Sequence, residues 1–164
     1  MRSFQLPVFN QLDLDDLEEY YAGTIELDGR TVDMDLSFDE TSIADPTAQI
    51  IQKLLEDLPA LHQANHQAIL TDYENGGSVK KYIDQHLESV EPETLADLLS
   101  ETDPSLPKEK QLLSLVHLKR VGFFPEDAER FVLFDYTIGK DVTDYLIAFT
   151  LDAQGSIVEL TMEP

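Results

Sequence analysis

The sequence predicts an α+β fold: a mainly antiparallel sheet, built from an N-terminal hairpin and about four C-terminal strands, with four or five helices inserted between them and packed on one face. Three observations lead there. Apolar and polar residues alternate from Gly23 to Phe38, apolar residues then recur at helical spacing from Ile50 to Leu99, and runs of β-forming residues return between Val116 and Met162. Strands that follow one another without an intervening helix pair antiparallel, so the sheet should be antiparallel for the most part.

The hairpin is the first element the pattern defines. Gly23–Leu27 and Thr31–Phe38 flank Asp28-Gly29, where a two-residue turn needs positive φ. The alternation points Ile25, Leu27, Val32, Met34, Leu36 and Phe38 inward and leaves Glu26, Asp33 and Asp35 outward. Ahead of it, residues 1–19 read as a flexible acidic lead segment, so that 1–164 forms a single domain.

Helical period follows. Asp45-Pro46 reads as an N-cap and first helical residue before Ile50, Ile51, Leu54, Leu55 and Leu58, and Pro59 ends that helix or starts the next. A second helix carries Leu61, Ala64, Ala68, Ile69 and Tyr73 up to Asn75-Gly76-Gly77. Ser78 is expected to cap a third with Val79, Tyr82, Ile83 and Leu87, and Pro92 to begin a short fourth with Leu95, Leu98 and Leu99. Thr102–Pro107 is a loop, since its two prolines remove backbone donors. A short helix near Lys108–Leu115 closes the series. Val116–Phe123, Phe131–Ile138, Tyr145–Leu151 and Ser156–Met162 then read as strands, with Gly139-Lys140-Asp141 and Asp152–Gly155 as connections.

Composition excludes whole classes of function. Against 33 Asp and Glu stand 11 Lys and Arg, a net charge of −22. A phosphate-binding surface must gather cations, so nucleic acid is not an expected partner, and the same sign opposes an anionic membrane. There is no apolar run long enough to span a bilayer, and Met1–Asn10 does not resemble a signal peptide, which makes a cytoplasmic location the expectation. Without Cys there is no disulfide, thiolate ligand or cysteine nucleophile.

Candidate chemistry is sparse. His62 and His66 stand four apart on a helix, a spacing a metal site can use. They lack the Glu that follows the first His in a zinc-protease motif and have no third ligand at a recognisable spacing, so they read as surface histidines and no metal or other cofactor is expected. Asp13, Asp15 and Asp16 fail as a calcium loop for want of its central Gly and terminal Glu. Gly76-Gly77 reads as a helix breaker rather than an anion cradle. His86 and His117 are isolated, and there is neither a G-x-S-x-G nor a P-loop sequence.

Charge layout is the stronger feature. Twelve acids lie between Asp13 and Asp45 with Arg30 as the sole base, and Lys108, Lys110, Lys119 and Arg120 are the one basic concentration, available to pair with that acidic surface. The expected function is therefore a non-enzymatic interaction domain in which Glu26, Asp28, Asp33, Asp35, Asp39 and Glu40 meet a basic protein, for example as an immunity or inhibitor protein. Asp135, Tyr136, Asp141, Asp144 and Tyr145 crowd one strand connection and form a second candidate site. The alternative is an enzyme or a small-ligand or metal-binding domain, with a pocket between helices and sheet and His62, His66 or that connection at its mouth. Self-association through the Phe131–Ile138 strand or an uncovered sheet face is a third class.

Several segments also carry a family likeness. Tyr20–Leu27 with its Asp28-Gly29 turn, Gly76–Ile83, Val121–Pro125 and above all Phe134–Leu146 resemble, in order and over roughly residues 20 to 162, the bacterial family described as the domain of unknown function numbered two thousand and four. The resemblance implies a cytoplasmic bacterial protein and supplies no catalytic residues.

Overall fold

The computed structural model describes residues 1–164 and departs from expectation at the start of the chain. Residues 1–19 are not a loose lead. Ser3–Leu6 (β1) and Asn10–Asp13 (β2) pair antiparallel as a separate two-stranded sheet. Leu6, Phe9, Leu12, Leu14 and Leu17 are all buried, and apolar contact rather than charge decides the fate of this segment. Its turn is tight enough to place Val8, a β-branched residue, at φ 71°. Val8 packs against Gly23, where a Cβ would come within 2.7 Å of its Cγ1. Arg2 fastens the other end: its Nη1 and Nε donate to Asp45 and Asp15 at 2.7 and 2.8 Å, and its Nη2 donates to the Ile43 carbonyl at 2.9 Å.

The main sheet has six strands in the order β3 (Tyr20–Leu27), β4 (Arg30–Ser37), β5 (His117–Phe123), β6 (Val132–Thr137), β7 (Leu146–Leu151) and β8 (Ile157–Glu163). The β3–β4 hairpin turns at Asp28 and Gly29, both at positive φ, as the sequence requires. Every pair is antiparallel except β4–β5, which is parallel. All five helices, α1 (Asp45–Glu56), α2 (Leu58–Glu74), α3 (Ser78–Ser89), α4 (Pro92–Leu99) and α5 (Lys108–Leu113), lie in the connection between those two neighbours. A parallel pair needs just such a long crossover. The Phe131–Ile138 strand is interior, paired on both sides and nearly all buried, so it cannot serve as an edge for a second copy.

Two helix starts differ from expectation. Ala44 is the N-cap of α1, and the Asp45 carboxylate is held by Arg2 instead of capping. Gly77 precedes α3 as its N-cap, and Asp72 accepts from the Val79 amide at 2.8 Å in place of Ser78. A Cβ on Gly77 would collide with the Asp72 carboxylate, which accounts for the second glycine. The same carboxylate fills the position an anion would take.

One apolar core lies between the sheet and the helices. Met34, Val121, Phe134 and Phe149 cross it from adjacent strands, and Ile51, Leu54, Ile69, Tyr82 and Ile83 face them from the helices. The alternate residues of the same strands point to the opposite side, which no helix covers.

Candidate functional site

The uncovered face is mostly polar, with Tyr20, Leu133 and Leu146 as its large apolar residues. Along it the register aligns Thr24 with Asp33, Asp33 with Arg120, Arg120 with Asp135, and Asp135 with Ala148 and Thr161. By strand alternation it carries Glu26, Asp33, Asp35, Asp135, Glu159 and Glu163. The cations among them are Arg120 and Lys119, the latter at a break in the β5–β6 register.

At the centre Arg120 grips Asp35 through two bonds, Nε to Oδ2 and Nη2 to Oδ1, the second at 2.9 Å, and reaches Asp135 through Nη1 at 3.2 Å. The guanidinium side chain is 32% exposed while the two carboxylates are 5% and 8% exposed. Gly122 makes room, since a Cβ there would sit 2.7 Å from Arg120 Nη2 and 2.9 Å from Asp35 Oδ1. Hydrogen bonding to Asp35 holds the guanidinium pKa above its ordinary value, and burial pushes the Asp135 carboxyl up despite the nearby charge of Arg120. The triad keeps one net negative charge under a partly exposed guanidinium.

The six acids expected to meet a partner therefore do not form one patch. Glu26 and Asp33 are exposed on this face. Asp35 lies on it as the alternation requires, but it is buried and neutralised by Arg120, a correction to its reading as an outward free acid. Asp28 turns toward α2, and Asp39 and Glu40 lie past the end of β4, where their backbone amides donate to the Glu126 carboxylate at 2.6 and 2.7 Å. In their place the fold contributes exposed Glu159 and Glu163 from β8.

The second candidate site comes apart for an elementary reason. Asp135 and Tyr136 are consecutive in a strand and point to opposite faces. Asp135 joins Arg120, whereas the Tyr136 hydroxyl donates to His62 Nδ1 at 2.9 Å inside the helix layer, and His62 Nε2 donates to Asp28 at 2.9 Å. Burial raises the Tyr136 pKa strongly, so the hydroxyl stays protonated; the adjacent buried Asn65 amide offsets part of this but makes no well-formed hydrogen bond. Both nitrogens of His62 are engaged, His66 is exposed, and no group of three His, Asp or Glu side chains is arranged to hold a metal. Asp28–His62–Tyr136 can keep a proton on the phenol and hold the hairpin turn against α2.

Asp141 and Asp144 are exposed, and the connection that bears them is fixed from α3. His86, 2% exposed, donates through Nδ1 to the Tyr82 carbonyl at 2.6 Å and accepts at Nε2 from the Thr143 hydroxyl at 2.7 Å. Tyr82 donates to the Tyr145 carbonyl at 3.2 Å, and Tyr145 sets its ring edge-on to His86. This arrangement is a structural latch. Burial lowers the pKa of His86, and also that of His117. The unfolded chain then binds protons first as pH falls below about 6.5, so this contribution to stability is full above that value and is lost as pH falls through the folded-state pKa values. Urea midpoints are expected to be lower at pH 5.5 than at pH 7.5, and His86→Gln is expected to flatten the difference; an unchanged slope in that variant would contradict the latch.

Comparison with known proteins finds no match to any family model, curated protein or solved structure. No helix is long and apolar enough to cross a membrane.

Proposed function

We propose that this protein is a non-catalytic interaction domain that holds a basic partner protein against the uncovered face of its six-stranded sheet. One observation supports the reading: that face bears four exposed carboxylates, Glu26, Asp33, Glu159 and Glu163, against Lys119, with Arg120 already paired to Asp35 and Asp135, while the opposite face packs against the helices and the β1–β2 hairpin. Exposed Glu26, Asp33, Glu159 and Glu163 supply steering charge on that face. An immunity or inhibitor role is the form this would take beside a basic toxin. Kinship with the uncharacterised family resembled at Phe134–Leu146 belongs to the same proposal.

The test uses an arginine-rich peptide as the probe. Its association rate, followed by stopped flow, is expected to fall about tenfold or more between 50 and 300 mM salt, and to fall similarly in Asp33→Lys/Glu159→Lys. A rate indifferent to both would overturn the proposal.

A further inference from the structure

The chain has three acids for every base. Six of the 11 Lys and Arg side chains nevertheless have none within 4.0 Å: Arg30, Lys81, Lys108, Lys119, Arg130 and Lys140. Three of these, Arg30, Lys119 and Lys140, line a single cleft of about 590 Å³, larger than the clefts of about 350 and 190 Å³ beside His62.

The cleft is assembled from separate parts of the fold. Arg30 opens β4 directly after the hairpin turn, Lys119 is the residue displaced at the irregularity in β5, and Lys140 sits in the connection that the α3 latch holds in place. Asp33 and Asp141 also line it but form no ion pair with any of the three cations. His117, half-buried on the wall, donates from Nδ1 to the Leu115 carbonyl and stands close enough to Arg30 to feel its charge. The lining is thus net positive within a molecule of net charge −22. At physiological ionic strength charges beyond about 8 Å are largely screened, so an anion inside the cleft responds to its own lining, three cations against Asp33 and Asp141, rather than to the acids elsewhere on the molecule.

We propose that this cleft binds a small oxyanion, a phosphate or a carboxylate group, through Arg30, Lys119 and Lys140. The guanidinium fork of Arg30 suits two oxygens at once, and the lysines supply point charges. The size of the cleft admits a metabolite bearing such a group rather than the group alone.

The experiment is a titration of isotope-labelled full-length protein with inorganic phosphate, and separately with succinate, at fixed pH and ionic strength, read by amide and histidine NMR. Saturable shifts are expected at Lys119 and at residues 137–141, together with an upward move of the His117 titration. Arg30→Ala and Lys140→Ala are each expected to weaken binding about tenfold. Lys81→Ala and Arg130→Ala, which remove equally unpaired cations outside the cleft, should change it little. Saturation by phosphate alone, by succinate alone or by both, with this dependence, supports the site and states which oxyanion it accepts. No saturable shift with either probe, or equal losses in the Lys81 and Arg130 variants, would overturn it.

Discussion

Deletion of residues 1–17 is expected to abolish cooperative folding. The segment contributes five buried apolar side chains to the core, Leu6, Phe9, Leu12, Leu14 and Leu17. At about 1.5–3 kcal/mol for each fully buried side chain, their loss is comparable to the whole stability of a typical domain, roughly 5–15 kcal/mol. The deletion would also strip the Val8 contact from Gly23 and the Arg2 bonds from Asp45 and the Ile43 carbonyl, exposing the helix-facing side of β3. Urea unfolding followed by circular dichroism should show no sigmoidal transition in the truncated chain. A transition within about 1 kcal/mol of the full chain would mean that the hairpin is an appendage.

Arg120→Met is expected to cost about 3 kcal/mol at neutral pH, because it leaves Asp35 and Asp135 buried with no counter-charge. Removing a surface ion pair would cost at most about 1 kcal/mol, so the size of the effect separates the two cases. The pH dependence supplies a second signature. Without the guanidinium, the burial that already raises the Asp135 carboxyl, with the charge of Asp35 beside it, acts unopposed by Arg120, so the folded variant binds a proton that the unfolded chain does not. Its deficit relative to wild type should shrink as pH falls from 7.5 toward 5, opposite in sign to the histidine contribution in the parent. A deficit under about 0.5 kcal/mol, or one independent of pH, would show that the triad contributes little.

How far the sequence reaches can be judged from these same residues. The Asp28-Gly29 hairpin, the helical stretch from Asp45 to Leu99 and the four later strands were all legible, since each rests on local periodicity and turn chemistry. The parallel β4–β5 pairing was not, because it joins strands separated by five helices. Without that pairing nothing places Arg120 beside Asp35, and Asp35 passes for an ordinary outward acid. Residues 1–19 differ for the opposite reason: burial of Leu6, Phe9, Leu12, Leu14 and Leu17, which recur at two- and three-residue intervals, outweighs the acids among them. Asp135 and Tyr136 cannot share a site, because strand alternation sends neighbours to opposite faces. The contact between Asp28 and His62 needed the packing of the hairpin turn on α2.

The charge layout changed most between sequence and fold. An acidic segment from Asp13 to Asp45 gives way to an acidic sheet face, to which β8 contributes as many exposed carboxylates as the β3–β4 hairpin does. The most direct measurement of the proposed function maps where a basic ligand lands: amide shifts of the labelled protein on titration with an arginine-rich peptide. The account predicts perturbations concentrated on β3, β4 and β8 at residues 24–26, 33 and 159–163, and their loss in Asp33→Lys/Glu159→Lys. Perturbations centred on the exposed acids of α3 and α4, unaffected by that double reversal, would contradict it.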